Sequence, residues 1–139
     1  LGGTGVLLMA GTQDLALLIV AFLLSSIPLY GLIGVLVDRT APSPTAGSEA
    51  ALKTYLLAAL FGTVLMLGVA VLYGVSGGTA YADLHAAAAS GQADEAGGAP
   101  TAAVIGGMVF VMGGLLFKAG AVPGHFWVPD ASQGAAPGG

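Results

Sequence analysis

The sequence has no cysteine, and only ten of its 139 residues carry a formal charge. The absence of thiols excludes disulfides, thiolate metal sites and iron–sulfur ligation. Three cationic residues are too few for the basic patch with which proteins bind phosphate backbones, so we expect no nucleic-acid partner. The two histidines, His85 and His125, are too few and too far apart to suggest a metal cluster. We therefore expect no metal site and no cofactor in this chain.

Hydrophobic residues make up 56% of the chain and charged residues 7%, whereas a soluble domain carries about 25% charged residues. The mean hydropathy is +0.93. Three apolar runs, at 15–37, 50–75 and 101–119, each have the length of about 20 residues that a bilayer crossing needs. These features predict an all-α membrane protein, a polytopic bundle of transmembrane helices surrounded by lipid.

The rest of the chain is assigned around these three crossings. Residues 1–10 are apolar but too short to span a bilayer, so we expect part of a preceding helix there. Proline, glycine and serine predict loops at 38–49 and 76–100, and a short helix is expected at 125–133. The first residue is not Met, and the chain stops in a glycine-rich stretch soon after a motif. We therefore expect residues 1–139 to be a single transmembrane segment of a larger subunit.

Local signals support this assignment. Asp14 precedes the first crossing and suits its N-cap. Within that crossing, Ser25 and Ser26 precede Pro28, where serine hydroxyls can satisfy backbone groups that a proline frees. In the third crossing, the glycine pairs at 106–107 and 113–114 are seven residues apart. Both pairs should lie on one face and allow a neighbouring helix to approach closely.

Lys118 comes near the end of the third crossing and is followed by Gly120, Pro123 and Gly124. This combination predicts a helix break, because proline lacks an amide proton and clashes with the preceding turn. A lysine inside a bilayer costs at least about 2.5–3.5 kcal/mol, and a helix break at that depth must be buried in protein or line a wet cavity. We expect a proton or ion pathway at Lys118. The alternative is a lysine that reaches the cytoplasmic interface.

Three further residues are candidates for such a pathway. Glu49 and Lys53 are four residues apart on one helical face. A desolvated lysine loses proton affinity and a nearby carboxylate restores it, so a lysine with a movable partner is a protonation switch. Lys53 could instead extend to the lipid headgroups. His125 could relay protons between Lys118 and water, or it could hydrogen-bond the broken backbone. Trp127 could be an interfacial anchor or a packing residue. His85 is expected to be solvated or locally packed.

Orientation follows from the cations in the loops. Arg39 lies in the loop at 38–49, and the loop at 76–100 has no Lys or Arg. Because short cytoplasmic loops are enriched in Lys and Arg, the Arg39 loop is predicted to face the cytoplasm.

Two motifs resemble a known family. The segment Glu-Ala-Ala-Leu-Lys-Thr-Tyr at 49–55 is similar to the Glu-Ala-x-x-Lys-Tyr segment of the antiporter-like subunit N (ND2-type) of respiratory complex I. The segment 116–135, with Lys118, Pro123, His125, Trp127 and Asp130, resembles the most recognisable motif of the same subunit. Its Lys…Pro-x-x-x-Trp-x-Pro-Asp core is shared by subunits L and M and by Mrp-type antiporters, the proton-conducting transporter superfamily.

The resemblance implies a proton-translocating membrane subunit of an NADH-quinone oxidoreductase. Quinone reduction elsewhere in the complex would drive protons through buried lysines, Lys118 and Lys53, with no catalytic residue and no redox chemistry in this chain. Flavin, iron–sulfur clusters and quinone would belong to partner subunits. The implied partners are the other membrane subunits of complex I, with no soluble substrate beyond protons, and the implied location is a bacterial plasma membrane.

Two alternatives stay open, and a departure from the family pattern motivates the second. Leu23 stands where the family has a glutamate, in a segment that otherwise fits, Ser-x-Pro-Leu at 26–29 included. The first alternative is an Mrp-type cation/proton antiporter that works without NADH. The second is a divergent, non-conducting structural paralogue.

Overall fold

The computed structural model describes residues 1–35, 46–89, 99–122 and 125–129. Within these ranges the chain forms no strand and five helices of at least nine residues. These are α1 (Gly2–Gly11), α2 (Leu15–Val35), α3 (Ala46–Ser76), α4 (Tyr81–Ala89) and α5 (Ala99–Lys118). The predicted all-α class is confirmed.

Three of the helices are long and apolar enough to cross a membrane. The candidate spans are Leu15–Leu32, Ala51–Ser76 and Thr101–Lys118, with mean hydropathies of 2.3, 2.4 and 1.8. An 18-residue helix is about 27 Å long, close to the thickness of a hydrocarbon core of about 30 Å. The 10-residue α1 is too short to span. The chain is therefore a multi-pass membrane protein.

Helix bounds differ from the predicted ones most clearly in the two predicted loops. Helix α3 begins at Ala46, inside the predicted loop at 38–49, and its first turn contains Glu49, whose charge favours a helix N-terminus. Helix α4 lies inside the predicted loop at 76–100. Its four consecutive alanines are strong helix formers, and Leu84 packs against the core, which outweighs the polar composition of the segment. Arg39 and the rest of 36–45 lie outside the described residues.

Helix α3 is central, since it packs against both α2 and α5, while α1 packs against α2. The buried core is formed by side chains three or four positions apart on these helices: Leu15, Leu18 and Phe22 on α2, Leu65, Val69 and Leu72 on α3, and Val111 on α5. This spacing places them on one face of each helix. Many other large apolar side chains are exposed, as suits lipid or further helices.

One glycine of each predicted pair makes the contact between α3 and α5. A Cβ atom on Gly107 would lie 2.8 Å from Leu72 Cγ, and one on Gly114 would lie 2.6 Å from Leu65 Cβ. By contrast, a Cβ on Gly106 or Gly113 would meet nothing within 4 Å. The predicted close approach of a neighbouring helix is confirmed, but only the second glycine of each pair faces it.

Polar contacts tie the α1–α2 turn to the α3–α4 turn. Asp14 Oδ1 accepts hydrogen bonds from Ala16 N and Leu17 N at 2.8 and 3.0 Å, which confirms Asp14 as the N-cap of α2. Asp14 Oδ2 accepts one from Thr79 Oγ1 at 2.7 Å, and Leu15 N donates to Thr79 O at 2.8 Å. The Thr79 bond, followed by the backbone bond from Leu17, holds the pKa of Asp14 below its ordinary value of 3.8.

These contacts predict a stability that depends on pH. A lowered folded-state pKa means that the Asp14 carboxylate stabilises the fold above pH 3.8 and loses this effect as the pH falls through its folded-state pKa. We expect Asp14→Ala to lower the unfolding temperature of the full-length protein in detergent at pH 7, and the difference from wild type to shrink below pH 3.8. Thr79→Val should lose part of the stability over the same pH range. A difference that does not change with pH would contradict this account.

Candidate functional site around Lys118

Lys118 is the last residue of α5, and the backbone beyond it closes the helix. Gly120 adopts a left-handed conformation with φ +68°. Ala121 N donates to Leu116 O at 2.9 Å and Gly120 N donates to Phe117 O at 3.0 Å. These two bonds form the Schellman arrangement that commonly ends helices at a glycine. The predicted break is thus present at Gly120, while Pro123 and Gly124 lie outside the described residues.

An aromatic segment returns over the end of α5. Residues 127–129 are helical again, and Trp127 Nε1 donates to Phe117 O at 3.0 Å. The Phe117 ring stacks on Phe61 of α3, with centroids 4.4 Å apart and planes 7° from parallel, and lies 5.8 Å from the Trp127 ring. Trp127 is therefore a packing residue at the helix end. The described helix is discontinuous after Lys118, as the sequence predicts.

The Lys118 amine points into the bundle. Its Nζ donates to Ser26 Oγ at 2.7 Å and lies 5.5 Å from the centroid of the Phe22 ring. Ser26 is 1% exposed and in turn donates to Phe22 O at 2.6 Å. An aromatic face attracts a cation, so the hydroxyl and the ring together stabilise a charged amine.

The depth of the contact between Lys118 Nζ and Ser26 in the membrane distinguishes a lysine in the interior of the bundle from one at the interface. Ser26 is the twelfth residue of the 18-residue span that begins at Leu15, about 4 Å along the helix axis from the middle of that span. The lysine nitrogen meets α2 there, although Lys118 is the last residue of its own span. The amine is thus directed towards the interior, away from the nearer end of α2.

No described carboxylate neutralises this amine. The described part of the chain contains three carboxylate residues, Asp14, Glu49 and Asp83, and none forms an ion pair there. Leu23, one turn before Ser26 on α2, is an uncharged side chain that is 40% exposed. Burial disfavours the charged form of an amine, whereas Ser26 and Phe22 favour it. Burial and these two contacts therefore have opposite effects on the charged form of the amine.

Two cavities adjoin the site. A groove of about 270 Å³ runs between α2 and α3 and is lined by residues that include Leu23, Ser26 and Tyr30. A smaller cavity of about 10 Å³ is lined by Leu29, Tyr30, Thr54, Ala58, Phe117, Lys118 and Trp127. Tyr30 borders both cavities. Polar side chains from α2, α3 and α5 thus converge at one place.

The structure does not bring the other predicted site residues into this cluster. Glu49, Lys53 and His125 have exposed side chains, and no hydrogen bond or ion pair in the described ranges joins any of them to Lys118. Glu49 and Lys53 lie one turn apart on α3 without an ion pair between them. His85 is exposed on α4. Among the described residues, no three His, Asp or Glu side chains are close enough to hold a metal ion.

Sequence reasoning missed three residues of the cluster. The sequence points to Ser26 only as support for the Pro28 kink, and it indicates no role for Tyr30 or Thr54. The available signal was a hydroxyl group within an apolar run. That signal is weak, because a serine or threonine in a membrane helix can bond its own backbone.

The chain is similar to known membrane proteins. Residues 12–139 match the family described as NADH:quinone oxidoreductase/Mrp antiporter, TM. The NADH-quinone oxidoreductase subunit N of Mycobacterium sp. (strain JLS) is 53% identical over 132 residues, which cover 95% of this chain and 25% of that protein. Subunit N 1 of Streptomyces griseus subsp. griseus is 44% identical over 137 residues, 99% of this chain and 26% of that protein. The chain spans about a quarter of the length of these relatives.

Two solved structures share the fold. A chain of respiratory complex I from Thermus thermophilus with bound aureothin matches with a TM-score of 0.71 and 32% identity, over 96% of this chain and 26% of that chain. A chain of the membrane-bound sulfane sulfur reductase, an archaeal respiratory membrane complex, matches with a TM-score of 0.72 and 27% identity, over 94% and 24%.

Proposed function

Because the chain belongs to the NADH:quinone oxidoreductase/Mrp antiporter transmembrane family, we propose that it is part of a proton-translocating membrane subunit of an NADH-quinone oxidoreductase. The observation that carries the proposal is the 2.7 Å bond from Lys118 Nζ to Ser26 in the interior of the bundle. An ionisable group inside a membrane bundle marks an ion or proton pathway by default. The names of the Mycobacterium and Streptomyces relatives support the quinone-reducing assignment.

In the proposed mechanism, Lys118 alternates between a charged and a neutral amine. Ser26 and the Phe22 ring stabilise the charged form, and burial among apolar side chains stabilises the neutral one. A change in hydration or in the local electric field then shifts the balance and moves a proton on or off the nitrogen. The groove beside Ser26 and Tyr30 offers a route for water to the site.

Lys53, Glu49 and His125 are proposed as outer members of the pathway. Lys53 and Glu49 lie one turn apart on α3, near the end where Lys118 meets it, and His125 follows the helix break. Their side chains are exposed on this segment, which leaves them accessible to water or to helices outside the chain. The proposed order is transfer between Lys118 and Lys53, with His125 as a relay to water.

The partners and location follow from the same proposal. The other membrane subunits of the complex would surround this segment, and the flavin, iron–sulfur clusters and quinone would be held by partner subunits. The bacterial relatives support a bacterial plasma membrane. Arg39 is proposed to face the cytoplasm. Replacing Lys118 with Met and measuring proton translocation by the intact complex tests the function.

A second candidate is a non-conducting structural subunit, and Leu23 is the observation that favours it. This side chain lines the groove beside Ser26 without any charge. The two residues are three positions apart, so a glutamate at 23 would project on the same helical face and reach towards the amine that Ser26 binds.

Leu23→Glu separates the two candidates. If Lys118 carries protons, a carboxylate beside it favours the charged amine, and the pH optimum of proton translocation should rise by about one unit or more. Proton translocation at several pH values in reconstituted vesicles measures this. Val20→Glu is the control, since it adds a carboxylate to the same helix about 9 Å from Ser26. Translocation that is unchanged at every pH would favour the structural role.

A further inference from the structure

Thr54 on α3 has a buried hydroxyl for which the described residues offer no hydrogen-bond partner. Four other hydroxyl side chains on the described helices donate to carbonyls of the preceding turn: Ser25 and Ser26 to Phe22, Thr63 to Ala59 and Ser76 to Leu72. Thr54 is 2% exposed, and its Oγ1 makes no such bond. A buried hydroxyl that does not even bond a carbonyl of its own helix has lost its hydrogen bonds to water without gaining another.

The small cavity is where this hydroxyl could find a partner. Thr54 lines it together with two other polar residues, Tyr30 and Lys118. The cavity volume is about 10 Å³, and a single water needs about 10–15 Å³ of such space and two to four polar partners. Size and lining both suit one water molecule. The apolar residues around it, Phe117 and Trp127 among them, would exclude a larger hydrated ligand.

The lysine amine supplies the second half of the argument. A charged amine has three N–H donors, and one of them is donated to Ser26 on α2. A further donor can therefore be directed to the side of α3, where the cavity lies. The Thr54 hydroxyl could accept a hydrogen bond from, or donate one to, a group that lies between it and the Lys118 amine.

We propose that the cavity binds one water molecule bridging Thr54 Oγ1 and Lys118 Nζ, with the Tyr30 hydroxyl as its third neighbour. Thr54 is then a positioning residue: it fixes the water, and the water fixes the amine from the side opposite Ser26. The water site rests on the cavity, the unpaired hydroxyl and the N–H groups that Lys118 does not donate to Ser26. Its effect on proton transfer rests on the proposed function.

The experiment uses the intact complex carrying Thr54→Val, Thr54→Ser or the wild-type residue. Valine keeps the shape of threonine but removes the hydroxyl, while serine keeps the hydroxyl. An electron cryomicroscopy map that resolves ordered water should show a density within 3.2 Å of both Oγ1 and Nζ in the wild type and the serine variant, and none in the valine variant. Proton translocation should fall about three- to tenfold in Thr54→Val and recover in Thr54→Ser.

Two controls separate the inference from the proposed function. Thr4→Val removes an exposed hydroxyl on α1, and its translocation should match the wild type. Suppose that Lys118→Met translocates protons normally and that the wild-type map shows the water density. The proposed function is then wrong, and the water site is confirmed. If Lys118→Met is inactive but no density lies between Thr54 and Lys118 in the wild type, or the density persists in Thr54→Val, the water site is wrong.

Discussion

A complex carrying Lys118→Met should assemble normally and lose proton movement through this subunit by about 10²-fold or more, the scale of a lost proton-transfer group. Methionine matches the apolar stem of lysine and fills the same space beside Phe22. It removes the amine that bonds Ser26 at 2.7 Å. Because it also removes an unpaired, partly buried charge, we expect no loss of stability. Native gels report assembly, and a pH-sensitive dye in reconstituted vesicles reports NADH-driven translocation.

Lys118→Arg sharpens this test. Arginine keeps the positive charge but does not release a proton in proteins, so it should fail as methionine does if Lys118 must alternate between two protonation states. Leu116→Met is the matched control, because it places methionine at an exposed position two residues earlier. Full translocation by the arginine variant would show that a fixed charge suffices. Full translocation by the methionine variant would remove Lys118 from the pathway.

Gly114→Ala should strongly destabilise the packing of α3 against α5, whereas Gly113→Ala should be close to neutral. The new methyl at 114 would lie 2.6 Å from Leu65 Cβ and 3.1 Å from Phe61 O. Leu65 is fully buried and cannot rotate away, so the helices must separate, at a cost of about 1–3 kcal/mol. The methyl at 113 meets nothing within 4 Å. Thermal unfolding of the full-length protein in one detergent compares the two.

The neighbouring glycines make this a controlled comparison, since both substitutions add one methyl to the same helix. Gly114 also lies one turn before Lys118, so separation of the helices should disturb the stacking of Phe117 on Phe61 and the lysine with it. We expect Gly114→Ala to lose proton translocation along with stability. Equal stability of the two variants would show that α3 and α5 do not pack through Gly114.

The crossings and the break at Lys118 could be predicted from sequence because their causes are local. Long uncharged runs specify membrane helices, and Gly120 ends α5 through its own left-handed conformation. The sequence does not predict α4, because the loop-like composition around it masks a run of four alanines. The resemblance to the family also rests on local motifs, around Lys118 and Lys53.

The partners of Lys118 could not be predicted, because they depend on how distant helices pack. Ser26 is 92 positions away in sequence, and no pattern within α2 distinguishes it from Ser25. Thr54 follows Lys53 directly, yet the threonine is buried and the lysine is exposed. Which of two adjacent residues faces the neighbours is decided by the contact of α3 with α2 and α5. The approach of α3 to α5 depends in part on Gly107 and Gly114, which lie on the other helix.

The Ser26 hydroxyl gives the lysine an anchor that does not depend on its charge. A carboxylate partner attracts an ammonium far more strongly than a neutral amine, so it would release the side chain once the proton had left. A neutral amine still has N–H groups, and a serine oxygen can accept from either form. If Lys118 discharges, it can therefore keep its place on α2 and lose mainly its attraction to the Phe22 ring. Proton transfer would then require little movement of the lysine side chain.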